Sequence, residues 1–560
     1  MRLLRRYAAE LIVLVVGAGL RLFLFAPSYV PTQVDELPYA ADGLLLLEGV
    51  TPGFKFAPGA ITTWLGFVYG TATWFFNTVS SIGSAIELEA LVIPLVTLDQ
   101  TLFDIYADMA GLRAVIIGTI VLISLLGIYS AARIGRHFAD WPGALFAGGL
   151  AAVIPLFCLS AVQSRPYSPA WSLTILSISI MLTCRGSRRW VWAGIVYGLA
   201  VATRVEMLFI IPLVLWLMWV VSDDQSSVRS GAQMAAAAML TFLVSAPWFF
   251  GHLVGNVRKM MTVVVLRRQV SSAGPIIDFL THEGLAIVGV VTLLGILMRC
   301  RTDGRKAWVA LVYLLFLGVE LFTLETSGGL RHVGHAFVVM VVLAGYALGG
   351  VQQAVGKRWA VQVSAVVVLV ALALPLARTV SMARETRSGW IEHHAVDWIE
   401  ANITAGSRVF LTRRNVRVPL PTEVSADQLW GAAAHETAWS EKLERRLADI
   451  DVELDYLPRG LSMEHMYQEL SGLRRYFILG SSRDRSRPRY ELRLVQVGEE
   501  TQDFRDALNG FQRDGGVFWH WGQPLDRELG PSEQAWIATN GTGLFLYVRP
   551  KSPRFKVTID

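Results

Sequence analysis

The feature that most constrains this chain is a succession of long apolar runs separated by short basic connections. Runs long enough to cross a hydrocarbon core of about 30 Å occur about eleven times. They lie at approximately 7–27, 111–132, 142–162, 168–184, 190–205, 207–221, 233–253, 284–299, 307–323, 333–350 and 359–378. Inside a bilayer every backbone N–H and C=O must be satisfied by the protein itself, which leaves helices as the spanning element for such segments. The 560 residues are 53% hydrophobic and only 17% charged, more apolar surface than a soluble chain of this length can hide. The expectation is an α-helical polytopic membrane protein. The N-terminal stretch MRLLRRYAAELIVLVVGAGLRLFLF lacks a convincing small-residue cleavage site and reads as an uncleaved first helix. The run Ala60–Val79 is also apolar, but its Thr, Tyr, Trp and Asn content suits a helix lying at the interface.

Basic residues set the orientation. With a cytoplasmic N-terminus, the inner connections hold Arg2, Arg5 and Arg6; Arg133 and Arg136; Arg185, Arg188 and Arg189; Arg299, Arg301, Arg305 and Lys306; and Lys357 and Arg358. Cytoplasmic loops carry such an excess of Lys and Arg. The net charge of +5 is therefore topological, and nucleic acid is not an expected partner. The exception is the 222–231 connection, where Asp223 and Asp224 face Arg229. Eleven crossings put everything after Arg378 outside. Charge rises and long apolar runs vanish there, so the chain divides into a membrane domain, 1–378, and an extracytoplasmic domain, 379–560. Strand-like pieces at 408–412, 452–457, 476–479 and 544–548, with helical stretches at 390–402, 436–449 and 463–474, predict an α/β fold for the latter. Cys158, Cys184 and Cys300 form no CxxC pair, which argues against a disulfide framework or structural zinc.

The first outer loop, 28–110, concentrates the chemistry. Asp35 and Glu36 are adjacent carboxylates bracketed by Pro31 and Pro38, where a continuous helix is unfavourable. Ionisable groups at a membrane boundary are costly and are functional by default. Gly49, Pro52, Gly53, Pro58 and Gly59 give the loop a shape of its own. Outward-facing cations run against the positive-inside rule: Lys55, Arg113, Arg165, Arg204, Arg258, Lys259, Arg267, Arg268 and Arg331 with His332. Singly, each reads as a snorkelling side chain or the partner of a nearby acid, as Arg204 with Glu206. Together they suit a phosphorylated lipid, since Arg and Lys hold phosphate through charge-assisted hydrogen bonds.

The order Asp35-Glu36, Tyr39, Gly49 and Phe54-Lys55-Phe56-Ala57-Pro58 after a first helix resembles the GT-C membrane glycosyltransferases, in particular the protein O-mannosyltransferase and lipid A aminoarabinose transferase group. Trp190–Pro212 and Gly329-Leu330-Arg331-His332 resemble later motifs of those proteins, and Ala395–Asn402 resembles the start of the outer domain of bacterial members. The chain departs from them in having Ala57-Pro58 for a Pro-Pro pair and His332 for a Tyr.

The resemblance implies a multi-pass protein of the plasma membrane. It would move a sugar, with inversion, from a polyprenyl-phosphate donor to a hydroxyl on a protein, lipid or glycan acceptor outside the cell. It assigns Asp35 as general base and Glu36 as its partner. It places donor phosphate among Lys55, Arg165, Arg204, Arg258, Lys259 and Arg331, with Tyr39 and His332 as further substrate contacts. The acidic pair could instead hold a divalent cation, but no companion DxD motif lies in an outer loop, so no metal is expected. The rivals are a lipid-linked sugar flippase, which would favour inverted repeats and charges buried mid-span, and a non-catalytic envelope assembly subunit.

Overall fold

The structure is a computed structural model that describes residues 2–25, 43–44, 46–47, 59–87, 105, 110–221, 227–251, 253, 279–281, 283–323, 334–356 and 358–387, together with seven strands between 409 and 548. The chain divides into two units, one comprising Met1–Pro27, Tyr39–Pro94 and Ala110–Arg384, the other Ser28–Pro38, Leu95–Met109 and Glu385–Asp560.

In the first unit most of the described residues are helical. The main helices are Arg2–Leu24, Ala60–Glu87, Ala110–Val153, Tyr167–Thr183, Arg188–Thr203, Ile211–Val221, Ser227–Ser245, Ala286–Cys300, Arg305–Thr323, Gly334–Val355 and Ala360–Arg387. Four described segments are long and apolar enough to cross a membrane, Tyr7–Leu24, Gly111–Val153, Gly334–Val355 and Ala360–Arg384, while Val205–Val221 and Ala286–Cys300 are apolar but shorter. The expected spans thus appear as helices, several of them short of a full crossing length. The Ala60–Val79 run continues as helix to Glu87 and exposes Val68, Trp74, Phe75, Phe76 and Val79.

The helix Ala110–Val153 is two helices meeting at a reversal. Ala139 (φ −149°, ψ 36°) and Asp140 (φ 49°, ψ −143°) leave helical geometry just before Pro142. A positive φ at a residue with a Cβ is strained, and Asp tolerates it better than most. The reversal brings Gly135 against Gly143: a Cβ added at either would lie within about 2 Å of the other's carbonyl oxygen, at 1.9 and 2.2 Å. This separates the expected spans 111–132 and 142–162 and leaves Arg133 and Arg136 beside their connection.

Gly334–Val355 is the central helix, buried from Gly334 to Val351, as expected of a helix that is apolar all round. Small residues let its neighbours approach. A Cβ at Gly295 would meet the Ala347 carbonyl oxygen at 2.3 Å, and one at Gly350 would meet that of Gly295 at 2.2 Å. Lipid offers no hydrophobic drive between helices, so such close backbone packing carries much of the association. Ala360–Arg387 is peripheral and exposes Val361, Val366, Leu369, Val370 and Leu376.

The described part of the second unit is a mixed seven-stranded sheet: β1 Val409–Leu411, β2 Leu454–Tyr456, β3 Arg475–Gly480, β4 Tyr490–Gln496, β5 Val517–His520, β6 Gln523–Leu525 and β7 Leu544–Val548, in the order β2-β1-β3-β4-β7-β5-β6. β1 runs parallel to β2 and β3, with Val409 opposite Leu454 and Phe477. β4 is antiparallel to β3 and parallel to β7. Four expected strands coincide with β1, β2, β3 and β7; β4, β5 and β6 are additions. β6 contains Pro524 and forms one edge of the sheet, where a residue without an N–H is tolerated. The helices expected at 390–402, 436–449 and 463–474 lie outside the described residues.

Gly295→Val should lower thermal stability in detergent by roughly 1–3 kcal/mol or more, the cost of forcing a side chain into a filled contact. An unchanged unfolding temperature would contradict the packing described for the central helix.

Candidate functional site

Two interruptions in helical backbone build the site. The first follows Val153. Pro155 lacks an N–H and pushes its predecessor into extended geometry, and Ile154 sits at φ −62°, ψ 123° before the short helix Pro155–Ala161 begins. This divides the expected 142–162 span. Helix ends orphan backbone groups, and here each side of the break is answered. Arg21, itself 1% exposed, donates Nη2–H to the Ala151 carbonyl (3.3 Å) and Nη1–H to those of Ala152 (3.3 Å) and Gly17 (3.0 Å), with Nε–H on Ser124 Oγ (2.8 Å). Thr379 Oγ1 donates to the Val153 carbonyl at 2.6 Å. On the far side, Leu156 N–H donates to Glu283 Oε2 at 2.9 Å. A cation at one helix end and a carboxylate at the next helix start also match the two macrodipoles.

The second interruption is at Arg204. The helix Arg188–Thr203 ends there, Arg204 is extended (φ −149°, ψ 116°), and Val205–Ile210 forms a 3₁₀ turn before Ile211–Val221 resumes. Pro212 cannot donate to the Leu208 carbonyl, which instead receives the Ile211 N–H. Tyr197 OH holds the Met207 carbonyl at 2.6 Å and Tyr313 OH that of Phe209 at 3.1 Å.

These breaks bring the two described sequence candidates together. Arg165 lies in the turn leading into the helix Tyr167–Thr183, its N–H on the Gln163 carbonyl at 2.7 Å. Its guanidinium carbon is 5.8 Å from the centre of the Tyr167 ring, and that of Arg204 sits over the same ring at 3.7 Å. Both arginines are buried, 3% and 1% exposed. Arg204 donates through Nε and Nη2 to Glu206 Oε2, at 2.9 and 2.5 Å, so the pairing legible in the sequence is formed.

The residue just before the helix Ala60–Glu87, in the middle of the first outer loop, reaches this cluster. Gly59, at φ 66°, donates its N–H to the carbonyl of Thr203, the residue before Arg204, at 3.2 Å. Its own carbonyl accepts from Thr63 N–H (2.9 Å) and Thr62 Oγ1 (2.8 Å), starting the helix Ala60–Glu87. Ala60 packs with Ala202, Val205, Ala246, Trp248 and Phe249, and Trp64 Nε1 donates to the Ser245 carbonyl at 2.8 Å.

Asp35, Glu36, Tyr39, Lys55, Arg258, Lys259, Arg331 and His332 lie outside the described residues. Among the described residues no group of three His, Cys, Asp or Glu side chains could hold a metal. Sequence reasoning does not reach Arg21, Tyr197, Tyr313 or the pair His335–Glu320, whose Nε2 and Oε2 are 3.0 Å apart. Their partners are distant in the chain and no local spacing reports them.

Glu206→Ala should cost roughly 3–5 kcal/mol of stability, because it strands a buried guanidinium, whereas the double change Arg204→Met with Glu206→Leu should recover most of that loss. Thermal unfolding of the purified variants decides; equal losses in both would show that the pair does not act as a unit.

Residues 100–250, which include Arg165, Tyr167, Arg204 and Glu206, match the family described as dolichyl-phosphate-mannose-protein mannosyltransferase. No curated protein matches the chain. Among solved structures, the oligosaccharyltransferase of Archaeoglobus fulgidus in complex with Zn and sulfate is similar at 12% identity and TM-score 0.46, over 84% of this chain and 68% of that one. ArnT from Cupriavidus metallidurans is similar at 14% identity and TM-score 0.46, over 85% of this chain and 93% of that one in the apo state. The same protein bound to undecaprenyl phosphate gives 14% identity and TM-score 0.46, over 86% and 93%. At these TM-scores the structural likeness adds nothing to the family match. Residues 100–250 of this chain are thus similar to a family of membrane mannosyltransferases described as using dolichyl-phosphate-mannose.

Proposed function

We propose that this protein transfers a sugar from a polyprenyl-phosphate donor to an acceptor hydroxyl at the outer face of the plasma membrane, inverting the anomeric carbon. The observation that carries this reading is the meeting of Arg165 and Arg204 at Tyr167, beside the hydrogen bond that pins Gly59 of the first loop to Thr203. That meeting falls within the segment matching a dolichyl-phosphate-mannose transferase family. A loop bearing two carboxylates and a buried pair of arginines are the parts the reaction needs. Asp35 takes the proton of the acceptor hydroxyl as its oxygen attacks the sugar C1. The C1–O bond to phosphate breaks, and its electron pair stays on the lipid phosphate. Charge developing there is stabilised by Arg204 and Arg165, with Lys55, Arg258, Lys259 and Arg331 around them. Glu36 orients the acceptor, and Tyr39 and His332 contact substrate.

The acceptor is a protein, lipid or glycan. In this reading about eleven helices cross the bilayer. The N-terminus is cytoplasmic, and an α/β domain containing the seven-stranded sheet lies outside. A flippase would need no base in the first loop, so the two readings part at Asp35.

Asp35→Asn should reduce sugar transfer from a radiolabelled polyprenyl-phosphate sugar by roughly a hundred- to ten-thousandfold, with expression and folding unchanged. Near-normal transfer by a well-folded variant would refute the base assignment. Removing Arg258 and Lys259 together should raise the donor KM with little change in kcat; an unaltered KM would remove them from the donor site.

A further inference from the structure

Arg204 leaves the helix Arg188–Thr203 in extended geometry, yet its backbone is tied on both sides. Its N–H donates to the Ala200 carbonyl at 2.8 Å, as that of one more helical residue would. Its carbonyl accepts from Met207 N–H at 3.1 Å, which closes a four-residue turn over Arg204, Val205, Glu206 and Met207. In a continuous α-helix that N–H would have gone to the Thr203 carbonyl, four residues back. The Thr203 carbonyl is taken instead by Gly59 N–H at 3.2 Å.

The closed turn carries both members of the buried ion pair. Glu206 reaches back within it, its Oε2 accepting from Nε and Nη2 of Arg204, while the guanidinium lies on the Tyr167 ring. The aim of Arg204 is therefore a property of the turn as a whole. Swinging Met207 outward would carry the adjacent carboxylate with it and let the guanidinium follow.

One side chain fastens this turn to the helix it has just left. Tyr197, seven residues before Arg204, donates its hydroxyl to the Met207 carbonyl at 2.6 Å. Met207 is thus held at both ends of its own backbone, the N–H on Arg204 and the carbonyl on Tyr197. Tyr197 and Met207 are both buried, and deleting one partner of a buried hydrogen bond is costly. Tyr313 makes a similar contact farther along, its hydroxyl on the Phe209 carbonyl at 3.1 Å. Phe209 lies beyond the closed turn, where the 3₁₀ segment leads into Ile211–Val221, so Tyr313 secures the segment without securing Arg204.

We infer that Tyr197 is a positioning residue for the donor site: through Met207, its hydroxyl sets the turn that aims Arg204 at the phosphate of the lipid carrier. The inference rests on the transferase reading above and deepens it. A purely structural Tyr197 would stabilise the fold as any buried hydrogen bond does, and donor binding would be indifferent to it.

Tyr197→Phe and Tyr313→Phe each delete one hydroxyl and keep the ring. The double change Arg204→Met with Glu206→Leu removes the side chains through which Tyr197 acts. Binding is measured on the full chain in nanodiscs with a C55 polyprenyl phosphate lacking sugar and with the corresponding neutral polyprenol, and unfolding temperatures are recorded beside it. Tyr197→Phe should bind the polyprenyl phosphate roughly tenfold more weakly, the scale of one hydrogen bond, and the polyprenol as wild type does. Tyr313→Phe should stay within about threefold of wild type for both ligands, although its unfolding temperature falls comparably. In the Arg204→Met, Glu206→Leu background, adding Tyr197→Phe should change the phosphate affinity by less than about twofold, because residues that act through one another are not additive.

The inference is overturned if Tyr197→Phe keeps wild-type affinity for the polyprenyl phosphate, or if it loses the polyprenol equally. It is also overturned if Tyr313→Phe loses as much, or if the tenfold loss persists without Arg204 and Glu206. Unchanged phosphate affinity in the Arg204→Met, Glu206→Leu protein, or no binding by the wild type, would instead overturn the place of Arg204 in the transferase reading, so the two failures are distinguishable.

Discussion

Each interruption of a helix in a membrane protein exposes backbone groups that only the rest of the chain can satisfy, and that constraint organises this structure. The break at Ile154–Pro155 is held by Arg21 and Thr379 on its carbonyl side and by Glu283 on its N–H side. The break at Arg204 is held by the hydroxyls of Tyr197 and Tyr313. Apart from Tyr197, which is on the helix that ends at the second break, these partners are remote in the chain, so each irregular segment is fixed from more than one direction. A break so fixed serves as a rigid mount: Arg204 sits on the second, and Arg165 lies in the turn after the short helix that begins at the first.

Burying two guanidinium groups is costly, and the arrangement at Tyr167 offsets the cost in distinct ways. Arg204 has a carboxylate in Glu206 and an aromatic face beneath it. Desolvated cation–π contacts are among the stronger of their kind. A buried ion pair is weak evidence for stability, because an apolar pair of similar volume often does as well. The pair sits at a helix break, one residue after the Thr203 carbonyl that Gly59 N–H reaches, and the proposed function uses it there.

Much of this was legible in the chain. The apolar runs at 168–184 and 284–299 return as Tyr167–Thr183 and Ala286–Cys300, since helix length and hydropathy act locally. Arg204 with Glu206 was readable from their separation of two residues. The run at 142–162 hid its break, because hydropathy is continuous through Ile154-Pro155-Leu156 and only the proline signals it. Arg21 looks like a snorkelling residue near a helix end, and nothing nearby shows that it caps carbonyls more than a hundred residues away. His335 and Glu320 are single charged residues inside apolar runs, on helices that meet only in three dimensions. In the second unit, β1, β2, β3 and β7 were apolar enough to read as strands, whereas β4 carries Glu491 and Arg493 among its apolar residues and β6 contains a proline.

The proposed reading makes one demand of the buried arginine pair, that it hold the phosphate of a lipid carrier. The most direct measurement is a density map of the protein with a polyprenyl-phosphate sugar bound. The account predicts the phosphate at Arg165 and Arg204, with the sugar C1 turned toward Asp35. Phosphate density at the opposite membrane face, or a sugar remote from Asp35, would contradict it.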